Sequence, residues 1–209
     1  MAFFAGSLGH SVLTGIAIGV IIGIRNPLWS MIIFSLLFTL AVLFVKNANK
    51  ATTDTVIGVF SSIAVALGVV VLSKAGFSKF TNYLIGDILS INSSEIFMLF
   101  IALMLVFLTW TFIFNKLLVV SIHQSLARSR GIKVRLIEVI FASLVAVIVT
   151  VSIQWVGLLV INSMMVLPAA AARNISKSVK QYHVISLLIA TVSGVIGLIV
   201  SYYWGTATG

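Results

Sequence analysis

The sequence is poor in the residues that most proteins use for chemistry. It has no cysteine, which removes disulfides and thiolate metal sites. It has four acidic residues in 209, spread along the chain, which leaves little for acid–base catalysis. No glycine-rich loop followed by Lys-Ser or Lys-Thr occurs, so the chain is not itself an ATPase. There are two prolines, Pro27 and Pro168, so few positions oblige a helix to break. Charged residues make up 8% of the chain, too few to solvate the surface of a globular domain. No basic segment precedes the first apolar run and no small-residue cleavage site follows it, so a signal peptide is not indicated. No catalytic constellation appears, and the chain does not read as an enzyme.

What is abundant is hydrophobic. Apolar residues account for 61% of the chain, with a mean hydropathy of +1.24. The expected class is an all-α, polytopic integral membrane protein. About six transmembrane helices plus a short re-entrant or surface element are predicted, in a single transmembrane domain over 1–209. The apolar runs are Ala2–Ile24, Leu28–Val45, Thr55–Ser73, Ile96–Val120, Leu136–Ile153 and Val184–Trp204. Asp54 is placed to cap the third, Glu95 reads as a favourable charge at a helix N-terminus, and Tyr202, Tyr203 and Trp204 read as an interfacial anchor. The stretch FTNYLIGDILSI is too short to span. Gly6, Gly9, Gly15 and Gly19 make the first helix one that approaches its neighbours closely.

The net charge of +9 is distributed as membrane topology, not as a nucleic-acid stripe. Lys46, Lys50, Lys116, Arg128, Arg130, Lys133, Arg135, Arg173, Lys177 and Lys180 fall on one side. Only Arg25, Lys74 and Lys79 fall on the other. The positive-inside rule puts the larger group in the cytoplasm and the C-terminus outside. This requires a crossing between Gln154 and Pro168, although Trp155–Leu167 rises only about 20 Å as a helix. The predicted arrangement is a short element entering beside other helices and ending at Pro168. A surface helix then follows, with Arg173, Lys177 and Lys180 on one basic face. Gln154 and Asn162 are polar in apolar surroundings and have to find partners in a bilayer.

Two residues are candidate metal ligands. His10 lies roughly 14 Å into its helix, near the middle of the hydrocarbon core, where an ionisable side chain is a functional candidate. It reads either as a ligand for zinc, manganese or iron or as a neutral histidine bonding across a helix interface. Asp87 reads either as a carboxylate attracting a cation in an outer vestibule or as a solvated turn residue. Glu138, one turn past Arg135, is expected to pair with it. His123 and His183 are expected to be solvated, and Met164 and Met165 to serve packing.

The stretch VSIQWVGLLVINSMMVLPAAAAR resembles the signature region of the permease subunit of ABC importers for zinc, manganese and related metal ions. MAFFAGSLGHSVLTGIAIG, VIGVFSSIAVALGVVVLS, YLIGDILSIN, SLARSRGI and SYYWGTATG resemble further segments of the same permeases. The resemblance implies a plasma (inner) membrane permease moving a divalent cation by alternating access. It implies a homodimer that binds two copies of a separate ATPase and receives metal from an extracytoplasmic binding protein. Pro168, Arg173, Lys177 and Lys180 would then couple to the ATPase, and His10 would match a metal-handling histidine. Where the family commonly carries a carboxylate four residues earlier, this chain has Gly6. Relative to the family, a helix before Met1 and another after Gly209 are expected. The alternatives are a non-transporting membrane paralogue or scaffold, and a vitamin B12 or siderophore type of permease, which the signature resembles more distantly.

Overall fold

A computed structural model describes residues 2–24, 27–48, 52–75, 81–86 and 91–205. Among these the regular structure is entirely helical: α1 (Ala2–Ile22), α2 (Pro27–Ala48), α3 (Thr53–Ala75), α4 (Thr81–Ile85), α5 (Ser93–Ile122), α6 (Gln124–Ser129), α7 (Val134–Val156), α8 (Leu158–Ile175) and α9 (Val179–Trp204). Six of them, α2, α3, α5, α7, α8 and α9, are long and apolar enough to cross a membrane, and α1 adds an apolar stretch over Gly6–Ile22. The all-helical, multi-pass expectation holds.

α1 is the hub. It packs against α2, α3, α7 and α8. Leu8, Val12, Ile16 and Ala17 are completely buried, together with Met31 of α2 and Ile153 of α7. Three glycines permit this. Gly9 lies against Leu158 and Asn162, Gly15 against the backbone of Met31, and Gly19 against Ser30. Gly6 differs, because nothing lies within 4 Å of where its side chain would be. Buried hydroxyls bond carbonyls of their own helix: Ser7 donates to Phe4, Ser11 to Leu8 and Thr150 to Ala146. Others cross between helices. Thr14 Oγ1 donates to Ala64 O of α3 at 2.5 Å, and Ser30 Oγ donates to Gly15 O. Thr150 Oγ1 also lies 2.9 Å from Ser35 Oγ of α2, the shorter contact to Ala146 O taking its proton. In a bilayer these bonds replace water as partner.

α5 and α9 stand outside this core. α5 touches α6 and α7, and α9 touches α8. Their long aliphatic and aromatic side chains are exposed, as suits helices facing lipid or another chain.

Several local expectations are corrected. α3 starts one residue before Asp54, and Thr52 caps it by accepting from the Thr55 N–H at 3.3 Å, leaving Asp54 in the first turn. Glu138 pairs with Lys46 at 3.3 Å and accepts from Gln124 at 3.2 Å, not from Arg135. The packing of α2 on α7 brings Lys46 to that face while Arg135 points outward. His183 is exposed, as expected, but it also makes ring contacts. Its ring packs within 5.4–5.9 Å of Trp110, Phe114 and Tyr182, and its Nδ1 meets Val179 O at 2.7 Å. Glu95 does act at a helix start, accepting from Asn92 N at 2.9 Å in a capping box.

Candidate functional site

The region around Pro168 differs most from the expected form. The helix does not end at the proline: α8 runs from Leu158 through a buried Pro168 to Ile175. Its 18 residues rise about 27 Å, close to the roughly 30 Å hydrocarbon core, so this element is long enough to cross and not the short one expected. Pro168 removes one backbone donor, yet Ala169–Ala172 favour helix strongly and carry it onward.

The break comes later, at Ser176–Ser178. Ser176 N donates to Ala172 O at 2.9 Å and closes α8. Ser178 is the N-cap of α9, its side chain accepting from Gln181 N at 3.3 Å, while Gln181 Oε1 accepts from Lys177 N at 3.1 Å. Arg173 therefore lies in the last turn of α8, Lys177 in the connection and Lys180 in the first turn of α9. The single basic helical face predicted for them does not form, because the three cations belong to two helices and the cap between them. All three side chains are exposed at the same corner.

At the opposite end of α7, Gly157 breaks the chain between α7 and α8 with φ +86° and ψ 157°. Gly86, with φ +81°, follows α4 and sits directly against it. A side-chain carbon on Gly157 would lie 2.6 Å from Gly86 N, and one on Gly86 would lie 2.7 Å from Gly157 N. Backbone meets backbone here with no room for a methyl group. α4 is thereby seated on α7 and α8. Burial pushes the phenol of Tyr83 in this short helix above its usual range and keeps it neutral. Asp87, the next residue after Gly86, lies outside the described residues.

His10 sits on the flank of α1, half-buried, with no hydrogen bond to its imidazole among the described residues. Its carbonyl accepts from Thr14 at 3.3 Å. Helix geometry puts Gly6 about 40° from His10 around the axis, and Gly9 about 100° away on the same side, beyond Gly6. Gly9 is pressed onto α8, whereas Gly6 opens onto free space. His10 therefore borders the open side of α1, next to the α1–α8 crossing. No group of three or more His, Cys, Asp or Glu residues that could hold a metal occurs among the described residues.

Gln154 and Asn162 do not find the partners expected of them. Gln154 Oε1 and Asn162 Oδ1 are buried without a hydrogen-bond partner among the described residues, as is Trp155 Nε1. The apolar pattern marked Asn162 as anomalous, but only the tertiary structure shows that it rests on Gly9 of α1.

Comparison with known proteins agrees with this architecture. The chain is 28% identical over 211 residues to the high-affinity zinc uptake system membrane protein ZnuB of Haemophilus influenzae, covering all of this chain and 80% of that one. It is 30% identical over 210 residues to the manganese import system permease protein ScaB of Streptococcus gordonii, covering all of this chain and 75% of that one. Among solved structures it resembles PsaBC from Streptococcus pneumoniae in complex with Fab, with a TM-score of 0.83 and 27% identity, over all of this chain and 76% of that one. The profile of the ABC 3 transport family matches residues 1–209 in full. The chain is a multi-pass membrane protein and belongs to the ABC 3 transport family.

Proposed function

We propose that the chain is the transmembrane permease subunit of an ABC importer in the plasma membrane, carrying a divalent metal ion such as zinc, manganese or iron. The observation that carries this reading is the full-length match to a transport family whose relatives are named for zinc and manganese uptake. The fold supports it. A cation crossing hydrocarbon needs polar partners along its way, and α1 offers a half-buried imidazole beside open space in an otherwise apolar bundle.

In this reading the chain forms a homodimer and performs no covalent chemistry. ATP is hydrolysed by a separate ATPase that docks on the cytoplasmic corner formed by Arg173, Lys177 and Lys180. Buried Pro168 lies in α8 just before that corner, and ATPase closure is passed up α8 toward the Asn162 level. An extracytoplasmic binding protein delivers metal near α4, where Asp87 offers a carboxylate. His10 is then a stopping point on the path.

Metal uptake by cells expressing the chain with its ATPase and binding protein tests the reading. Uptake of radiolabelled zinc or manganese that requires all three components is expected. Equal uptake with and without the chain, under conditions where it reaches the membrane, overturns it.

A further inference from the structure

Of the three buried polar atoms without partners, two belong to Gln154 and Trp155, beside the break at Gly157. The third, Asn162 Oδ1, is placed differently. Asn162 lies on α8 one turn below Leu158, and both side chains rest on Gly9 of α1. The position of a side-chain carbon on Gly9 would be 3.3 Å from Asn162 Oδ1 and 3.6 Å from its Nδ2. The carboxamide thus rests on α1 at Gly9, the residue before His10, and the open space over Gly6 lies between the directions of Gly9 and His10 around the helix. An amide oxygen buried without a partner in a membrane is unfavourable, and an apolar residue of the same shape would be neutral or better there. Packing therefore does not account for asparagine at this position.

We propose that Asn162 is a neutral oxygen ligand for the transported cation, acting from α8 beside the imidazole of His10 on α1. The inference rests on the importer reading above and adds a residue to its path. The chemistry is consistent. Imidazole suits zinc, manganese and iron alike, whereas carbonyl oxygen favours the harder ions, manganese above zinc. A pair of neutral ligands leaves the ion's charge uncompensated. Such a site stops the ion briefly and releases it, which a through-path needs. Gly9 is the residue that makes the pairing possible, since any larger side chain there would push Leu158 and Asn162 away from α1.

The test uses the complete transporter, with its ATPase and binding protein, in cells and in proteoliposomes, with Mn²⁺ and Zn²⁺ as probes. Asn162→Leu should express and melt at or above the parent temperature. Its KM for manganese should rise at least about tenfold, since a direct ligand matters no less than an outer-shell one. The zinc KM should rise less. Asn162→Asp should retain metal more tightly and turn over more slowly, and it serves as the probe if the leucine variant does not reach the membrane. Parent-like KM values for both metals in Asn162→Leu, or parent-like retention in Asn162→Asp, overturn the proposal. So does equal loss of both metals together with a lowered melting temperature, which marks a packing role. A parent complex that moves neither ion removes the importer reading itself, and this proposal falls with it; a transporting parent beside an unaffected variant removes the proposal alone.

Discussion

Replacing Gly157 with alanine should destabilise the protein strongly, through backbone strain and a backbone clash together. The residue has φ +86° and ψ 157°, a region of backbone space that is essentially reserved for glycine and costs about 1–3 kcal/mol for other residues. The added carbon would also sit 2.6 Å from Gly86 N, so α4 has to move away from the α7–α8 break. Overpacking of this kind costs roughly another 1–3 kcal/mol. With about 2–4 °C lost per kcal/mol in a chain of this size, the melting temperature should fall by roughly 4–24 °C. Two other glycines separate the causes. Gly131 has φ +71° but nothing within 4 Å, so Gly131→Ala carries backbone strain alone, about 1–2 kcal/mol. Gly58 lies inside α3 with open space beside it, so Gly58→Ala should stabilise by about 0.5–1 kcal/mol. Thermal unfolding of the purified protein in detergent, followed by tryptophan fluorescence, ranks the three. If Gly157→Ala melts within about 1 °C of Gly131→Ala, the backbone contact between Gly86 and Gly157 contributes nothing and the seating of α4 has been misjudged.

His10→Ala should abolish metal-dependent uptake at normal expression, and Gly6→Asp should lengthen metal retention, because the carboxylate would enter free space one turn from the imidazole; parent-like uptake in His10→Ala refutes the site. The double substitution Arg173→Glu and Lys177→Glu should leave insertion intact while separating ATP hydrolysis from uptake, and unchanged ATPase binding and uptake would show that the corner is not the docking point. Glu138→Gln removes the ion pair with Lys46 and weakens the bond from Gln124, and should lower stability by about 1 kcal/mol, with the loss shrinking in high salt; a salt-independent effect would point to packing instead.

The number and placement of the apolar helices are legible in the sequence because a bilayer allows few alternatives. What the residues alone conceal is where helices begin and end near polar positions. Pro168 suggests a stop, but a single missing N–H does not outweigh four following alanines, so α8 runs on to Ile175. The spacing of Arg173, Lys177 and Lys180 suggests one face, yet Ser178 and Gln181 form a cap that starts a new helix between them. Glu138 has Arg135 one turn away in sequence, while its actual partner, Lys46, is 92 residues distant and visible only after α2 packs on α7. The same holds for the candidate site. The depth of His10 follows from counting residues, but the contact of Asn162 with Gly9 exists only through the close approach of α8 to α1.

The hydroxyls on α1 bear on how the protein is assembled as it leaves the ribosome. Ser7 and Ser11 bond to carbonyls of their own helix, so α1 enters lipid with those groups already satisfied and can wait there for later helices. Thr14 is shared: its hydroxyl reaches His10 O within α1 at 3.3 Å and Ala64 O of α3 at 2.5 Å. It can hold the local bond first and take the shorter one when α3 arrives, at the level where Gly68 lets the two helices touch. The first three helices can thus close into a stable trio during synthesis, before α7 and α8 exist to complete the walls around His10.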